Sequence, residues 1–561
     1  MAVQSSLDLK DGHEARNAMN LKKIVIIQKA KKSAKEFDWV TEHPVECQEN
    51  FVLMLAKMNR NTLFGKRHEL DRIRCIDDYQ IRVSVNNYAD LKKYINLIMK
   101  GERDVLFPGA PVWWAKTSGT TSEPKFIPMS REMTKYYDTG SRFLYSFILE
   151  NPKENIDILS GKLLYLRAPS IVEHINRIPV GYISGITGRT QSRFAKRMVV
   201  PGSETTELGN WNDKFYRTVL ETVGENVTMV VGVTPLLVSM FRRMAEEYPP
   251  RLLLDLKNEY DKKKVRRALK KGGGRLLPVN CWENLKLFCP SGASIKPYLA
   301  QYRDLFGDVP IREVYAATEG QFGAADGECN GLLMNWDRYL FEFLPINKRA
   351  EKRDGEEAEK LGSPQPVDDR LTVAELKVGN LYELLITNPF GLYSYRIGDI
   401  VRLESKSPYR FTLVGRTKMT LNVFGEKVCE EHVSTALRVA EEATKAIISE
   451  YSCTVLLEES GGPRYVMYVE FIRPPSDKRK FVTTWDKKLQ EVAPAYGCFR
   501  ANDSMLKAPE IVMLMNGAFR KFEEKRMRSV QASGQLKPPH IASAGELINE
   551  LGHPLYPTQT N

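Results

Sequence analysis

The chain has 561 residues, 42% of them apolar and 27% charged, and a formal net charge of +12. That length accommodates two or more domains with sizeable cores, and the composition is that of a soluble globular protein rather than a disordered chain. Eight cysteines (Cys47, Cys75, Cys281, Cys289, Cys329, Cys429, Cys453, Cys498) are scattered without a C-x-x-C, which excludes a disulfide framework and predicts free thiols in a reducing compartment.

Cys429 and His432 lie close together, but no second pair completes a zinc site. No span of about 20 apolar residues is available for a membrane helix. The run Ile24-Val25-Ile26-Ile27, preceded by Asp8, Asp11 and Glu14, is too short and too late for a signal peptide, so a cytoplasmic protein is expected. Basic clusters such as Lys262-Lys263-Lys264-Val265-Arg266-Arg267 could favour nucleic acid. Acidic residues are interleaved with them and no stacking aromatics accompany them, so a solvated helix face is expected and no nucleic-acid partner. The excess of cations also suits a polyanionic substrate.

Residues 15 to 105 read as a helical scaffold, with apolar Phe51, Leu53, Met54, Leu55 and Met58 at helical spacings. Asn61-Thr62-Leu63-Phe64-Gly65 reads as a helix end closed by glycine. The stretch Thr117-Ser118-Gly119-Thr120-Thr121-Ser122-Glu123-Pro124-Lys125 then places five hydroxyls, a glycine and a lysine between apolar Val112-Trp113-Trp114 and Phe126-Ile127-Pro128. This predicts a strand entering and leaving a tight polar turn. Small residues let several backbone N–H groups converge on one anion, hydroxyls donate to phosphate oxygens, and lysine adds a mobile charge. The Walker spacing is absent. A serine- and threonine-rich surface turn is the plain alternative for the loop taken by itself.

Short apolar runs follow at Leu163–Leu166, Val227–Val231 (closed by Gly232), Leu285–Phe288 and Ile311–Tyr315, alternating with helical patterns. They predict interior strands of a mixed sheet in an α/β core. Residues 350 to 370 read as a charged surface loop. A strand-rich block from Leu381 to Val414 ends at Gly415-Arg416-Thr417-Lys418, where the main boundary is expected: a large domain over 1–415 and a small α+β domain over 416–561. In the latter, Tyr465–Phe471 and Ile511–Met515 read as strands and Lys480–Val492 as a helix.

Four further motifs stand at predicted strand ends. Ser291-Gly292-Ala293-Ser294 offers small residues against which a flat purine could lie. Tyr315-Ala316-Ala317-Thr318-Glu319-Gly320 supplies an aromatic ring, a hydroxyl and a carboxylate, the set needed to stack a base, touch a phosphate and hold Mg²⁺. Tyr395-Arg396-Ile397-Gly398-Asp399 sets a carboxylate where it can accept hydrogen bonds from ribose hydroxyls. Gly415-Arg416-Thr417-Lys418 adds an arginine at a flexible junction. Each has an ordinary explanation as a turn or a solvated charge; their joint order does not. Loops carrying Tyr182 and Ile183, and Val233 and Thr234, lie between these motifs and could line an acyl pocket, although ordinary turn packing accounts for them equally well.

The motif order resembles the adenylate-forming enzymes, whose phosphate loop reads [ST]-[ST]-G-[ST]-T-G-x-P-K, with Ser122 here in place of glycine. The stretch Leu376-Lys377-Val378-Gly379-Asn380-Leu381-Tyr382-Glu383-Leu384-Leu385-Ile386-Thr387-Asn388-Pro389-Phe390-Gly391-Leu392-Tyr393-Ser394-Tyr395-Arg396-Ile397-Gly398-Asp399 is strongly similar to the Gretchen Hagen family of acyl-acid amido synthetases. The similarity runs from about residue 50 to about residue 540. Ser122, a shorter phosphate loop, and Ser394 where the plant enzymes tend to carry arginine mark a divergent, non-plant branch.

The resemblance implies a luciferase-like α/β fold: a large N-terminal domain of mixed sheets flanked by helices, a β-rich subdomain, and a small mobile α+β C-terminal domain. It implies ATP and Mg²⁺, a small carboxylic acid, and an amino acid or other amine. Thr117, Ser118, Gly119, Thr120, Thr121 and Lys125 would hold the phosphates. Ser291, Gly292, Ala293, Tyr315 and Ala316 would line the adenine. Thr318 would touch the α-phosphate, Glu319 would hold Mg²⁺, and Asp399 with Arg416 would bind the ribose. Lys427 could reach the nucleotide, and Lys537 would be the catalytic lysine of the adenylation step. An acyl-CoA synthetase with a thiol acceptor and a non-catalytic nucleotide-binding homologue are the alternatives.

Overall fold

The computed structural model describes residues 23–117, 125–136, 140–327, 331–346, 369–417, 420–421, 423, 426, 428–456, 463–500, 506–529, 539–542, 547 and 551. The described part of the predicted helical scaffold is helical, as its periodicity predicts, and includes Pro44–Asn59, Leu63–Arg67, Ile76–Arg82 and Tyr88–Met99. Phe51, Val52, Leu55 and Ala56 form the buried stripe of the first of these. Gln48, on the same helix, is enclosed and bonds the backbone of Trp336, Tyr339 and Phe341, which fastens the helical layer to the central sheet.

Asn61–Gly65 is not a glycine-closed helix end. The helix stops at Asn59, and Thr62 caps a second short helix by accepting the Gly65 N–H at 2.9 Å. Glycine is required there for space, because a Cβ would lie 2.0 Å from the Asn59 carbonyl oxygen.

The central element is an eleven-stranded sheet. Val199–Val200, Lys162–Tyr165, Val227–Val233, Leu287–Ser291 and Val314–Ala317 are parallel neighbours. The remainder, through Gly320–Ala325, Leu332–Met334, Tyr409–Arg416, Tyr395–Lys406, Leu381–Thr387 and Leu340–Pro345, is antiparallel. The predicted strand at Val227 does not stop at Gly232. It runs through to Val233, because the missing side chain lets Leu237 and Leu166 close over the backbone. A second sheet of four strands contains Trp113–Lys116 and Phe126–Met129, paired antiparallel, with Ile178–Gly181 parallel to the former. The fold is α/β, with large mixed sheets and flanking helices.

Residues 347–368, most of the predicted charged loop, lie outside the described residues. Beyond Thr417 a three-stranded sheet of Ile447–Leu456, Arg464–Arg473 and Lys507–Leu514 is covered by helices Glu430–Thr444 and Lys478–Val492. It has its own core, including Val433, Leu437, Met467, Trp485 and Leu489. The nearness of Cys429 and His432 is a helix start: the Cys429 N–H faces His432 Nδ1 at 3.3 Å. The basic cluster sits on helix Glu259–Lys271, where only Val265 and Ala268 are buried. It is the solvated face expected from the sequence. Among the described residues, no helix is long and apolar enough to cross a membrane.

Candidate active site

Parallel strands end on one edge of a sheet, and ligands of open α/β sheets bind beyond those carboxyl ends. Here Val233, Ser291 and Val314 stand in register across three strands. Ser291 begins a turn that Gly292 completes at φ +69°, a left-handed conformation that side chains resist. The Thr234 hydroxyl bonds the Ser291 and Ala293 carbonyls at 3.1 and 2.8 Å, and the Ser291 hydroxyl bonds the Gly232 carbonyl. Thr234 is fully enclosed. It bolts the Ser291–Ala293 turn from behind, and Val233 lies beneath Gly292, so neither forms an open wall of its own.

Val314–Ala317 continues into a tight hairpin whose two linking residues are Thr318 and Glu319, since Ala317 pairs with Gly320. A side chain at Gly320 would strike Phe322 at 2.6 Å and Tyr339 at 2.7 Å, so only glycine allows the hairpin to fold this closely. Asn388 Nδ2 bonds the Glu319 carbonyl at 3.1 Å and holds the hairpin tip from the neighbouring block. Ala316 precedes the tip, half-buried.

Asp399 does not stand at a strand end, as its motif predicts, but inside strand Tyr395–Lys406, where a bulge aims it. Arg396 pairs with Leu385 and Ile400 with Glu383, so four steps on one strand match two on the other. Gly398 takes up the distortion at φ +85°. The resulting carboxylate, 3% exposed, accepts the Tyr315 hydroxyl at 2.7 Å on one oxygen and Arg416 Nε at 2.9 Å on the other. Arg416 comes from the directly opposite position of the next strand. The Tyr315 ring is buried and tilted against Phe322 at 5.0 Å, which makes this residue an anchor for Asp399 more than an open stacking surface.

Lys125 enters from the second sheet. Thr117 and Lys125 close the mouth of the hydroxyl-rich loop through two hydrogen bonds of 3.0 Å, one to backbone oxygen and one to the Thr117 hydroxyl. Lys125 Nζ then donates to Tyr395 Oη at 2.9 Å, with the Tyr88 and Tyr395 rings within 6 Å. Tyr88 Oη accepts the Phe126 N–H at 2.9 Å and so fixes the start of the outgoing strand.

These groups share one electrostatic environment. Burial pushes the Glu319 carboxyl above the usual range; Lys125 and Arg416 pull it back, and Asp399 pushes it further up. Asp399 is the main cause of the raised Arg416 pKa, with Glu319 and Tyr315 adding to it, so the guanidinium stays charged. The structure therefore gathers Lys125, Glu319, Tyr315, Asp399 and Arg416 at one spot. Tyr182 and Ile183 start the helix after strand Ile178–Gly181, next to the strand that leads into Thr117; Tyr182 is buried and Ile183 half-buried. Ser118, Gly119, Thr120, Thr121, Lys427 and Lys537 lie outside the described residues.

Sequence reasoning missed Tyr88, Asn388 and Tyr395 as members of this neighbourhood. Tyr88 follows the helix-starting pattern Asn87-x-x-Asp90, a readable capping box, but nothing local points its ring at Lys125.

Residues 33–311, 332–416 and 431–546 match, in turn, the GH3 family N-terminal, central and C-terminal domains. The chain belongs to the GH3 family. Among curated GH3 proteins, it is 24% identical to the jasmonoyl–L-amino acid synthetase GH3.5 of Oryza sativa subsp. japonica, over 79% of this chain and 83% of that one. It is 23% identical to the indole-3-acetic acid-amido synthetase GH3.4 of Arabidopsis thaliana, over 93% of each. Its fold superposes on the GH3.15 acyl acid amido synthetase with a TM-score of 0.72 at 19% identity, covering 91% of this chain and 94% of that one. For AtGH3.15 in complex with 2,4-DB the TM-score is 0.74 at 18% identity, covering 93% and 96%. These low identities make this a divergent GH3 sequence.

Proposed function

We propose that this GH3 protein is an AMP-forming ligase that joins a small carboxylic acid to the amine of an amino acid through an acyl-adenylate. The observation that carries the reading is the convergence of Lys125 and Arg416 with Glu319 and Asp399, delivered by two sheets to the carboxyl ends of the parallel strands. A carboxylate can approach the α-phosphorus of ATP only where cations offset two negative partners. Lys125 and Arg416 are cations fixed before substrate arrives, so little reorganisation is needed as charge builds on the phosphate oxygens. Asp399, already oriented by Tyr315 and Arg416, has lone pairs left for ribose hydroxyls. The turn Ser291–Ala293 would receive the adenine, Ala316 and Thr318 would border the nucleotide, and the loop Thr117–Thr121 would wrap the phosphates.

Glu319 is a buried carboxylate whose charge is disfavoured there, which a hard cation would relieve, so the site suits Mg²⁺. The ion would supply charge neutralisation at the phosphate oxygens. Lys537 is assigned to the adenylation step and Lys427 to nucleotide contact. Residues 1–415 would form the adenylating domain and 416–561 the part that moves between the two half-reactions. Tyr182 and Ile183 would supply one side of the acyl site, with Val233 and Thr234 holding the neighbouring turn in place.

ATP–pyrophosphate exchange across a panel of small carboxylic acids tests the first half-reaction, and mass analysis of products with mixed amino acids tests the second. Lys537→Ala should lower exchange at least about a hundredfold, the scale of losing one preorganised charge. Unchanged exchange would remove Lys537 from the step. Preformed adenylate that releases AMP with coenzyme A but not with amino acids would reassign the acceptor to a thiol.

A further inference from the structure

His540 is nearly buried, 4% exposed. It belongs to a short segment, Pro539–Ala542, that adds to the edge of strand Ile447–Leu456: Cys453 N–H donates to the His540 carbonyl at 2.8 Å and Ala542 N–H to the Cys453 carbonyl at 3.1 Å. Its Nδ1 faces Glu430 Oε1 at 2.6 Å and its Nε2 faces Glu450 Oε1 at 3.0 Å. The Tyr451 ring stacks on the imidazole at 4.2 Å, nearly parallel.

The remaining wall comes from the other part of the molecule. Tyr298 Oη lies 3.0 Å from His540 Nε2 and donates to Glu450 Oε2 at 3.3 Å. Tyr298 falls within the span matching the GH3 N-terminal domain, whereas Glu450 and His540 fall within the C-terminal one. Lys296 to Glu431 and Gln301 to the Ser449 carbonyl cross the same seam, and Arg402, in the span matching the central domain, also pairs with Glu431.

We propose that His540 is a positioning residue for the reaction: by joining Glu430 and Glu450 to Tyr298, it latches the C-terminal domain onto the N-terminal domain in the arrangement seen here. Carboxylates against both ring nitrogens leave the imidazole only donor roles, which is the doubly protonated form. Burial opposes that charge, but Glu430 and Glu450 outweigh it and raise the pKa to about 9. The other titratable groups facing the ring, Tyr298 and Tyr451, are pushed well above the ordinary phenol range by burial and add no charge. Loss of the proton would leave one of the two carboxylates facing a ring lone pair in place of an N–H. The latch is therefore complete below about pH 6.5, the ordinary imidazole value, and weakens as pH rises through about 9. His540 lies three positions after Lys537 in sequence, so a shift of this anchor passes directly into the chain that carries the assigned catalytic lysine. That last link rests on the function proposed above; the docking does not.

The test compares the full-length wild type with His540→Gln, which has no charge, His540→Arg, which is charged at every pH, and Tyr298→Phe, which removes the hydroxyl from the N-terminal side and leaves the C-terminal fold intact. Small-angle scattering reads docking without any substrate. The wild type should expand as pH rises through about 9, His540→Gln should be expanded already at pH 7, Tyr298→Phe should expand at lower pH than the wild type, and His540→Arg should stay compact throughout. In parallel, the ratio of acyl transfer to adenylation should change about tenfold in His540→Gln and return towards wild type in His540→Arg. Curves for Tyr298→Phe and His540→Gln that superpose on the wild type from pH 7 to 10 would overturn the latch. Absent adenylation in the wild type would instead count against the proposed reaction, with the scattering result standing separately.

Discussion

Ser394 departs from the arginine that resemblance leads one to expect, and the structure supplies the missing cation from elsewhere. Arg370 Nη1 reaches Glu342 Oε1 at 3.0 Å, with neither side chain exposed, and also bonds the Val83 carbonyl and Ser394 Oγ. Ser394 in turn donates to Glu342 Oε2 at 2.6 Å. A guanidinium at position 394 would duplicate one already present. Because a buried carboxylate without its partner is costly, Arg370→Met should destabilise the protein by about 3–5 kcal/mol in urea unfolding. A change under about 1 kcal/mol would show that water replaces the arginine. At the site itself, Asp399→Asn keeps the shape but removes the charge that holds Arg416. Pyrophosphate exchange should fall about a hundredfold with little change in melting temperature.

At the scale of elements, the polar and small residues of the sequence marked breaks in regular strand well because turns and bulges need particular backbone conformations. Gly292 and Gly398, both at positive φ, are of this kind. Gly65 and Gly232 misled the reading because their reason is contact with distant atoms, not backbone conformation. Gly65→Ala places a Cβ against the Asn59 carbonyl, where backbone must move. A loss of about 1–3 kcal/mol is expected, the cost of overpacking, read as a lower melting temperature.

At the scale of the molecule, the two ends respond to pH with opposite signs. In the C-terminal unit, burial raises Glu441 to about 7, and His540 is raised to about 9 by its two carboxylates against the opposing effect of burial. The folded state then holds more protons than the unfolded one, between the ordinary carboxylate value and 7 for Glu441 and between about 6.5 and 9 for His540. Stability from both falls as pH rises. In the N-terminal unit, burial lowers Lys214 to about 7; its ammonium, 1% exposed, donates to the Arg167 carbonyl at 3.1 Å. Above pH 7 the unfolded state binds the extra proton, so this unit gains stability towards pH 10. Calorimetry between pH 7 and 9.5 should show the unfolding of the two units moving apart, the C-terminal one downward. A common shift of both would contradict these assignments.

By itself the amino-acid sequence determined the α/β class and the turn and bulge positions that carry Glu319 and Asp399, because periodicity, glycine placement and turn chemistry act over a few residues. Only the tertiary structure decided that Tyr395 partners Lys125, that Thr234 braces a turn, that Arg370 bonds Ser394, and that His540 joins Tyr298. Those contacts link residues from 24 to 270 positions apart, and burial and charge at such distances depend on how the sheets and domains pack.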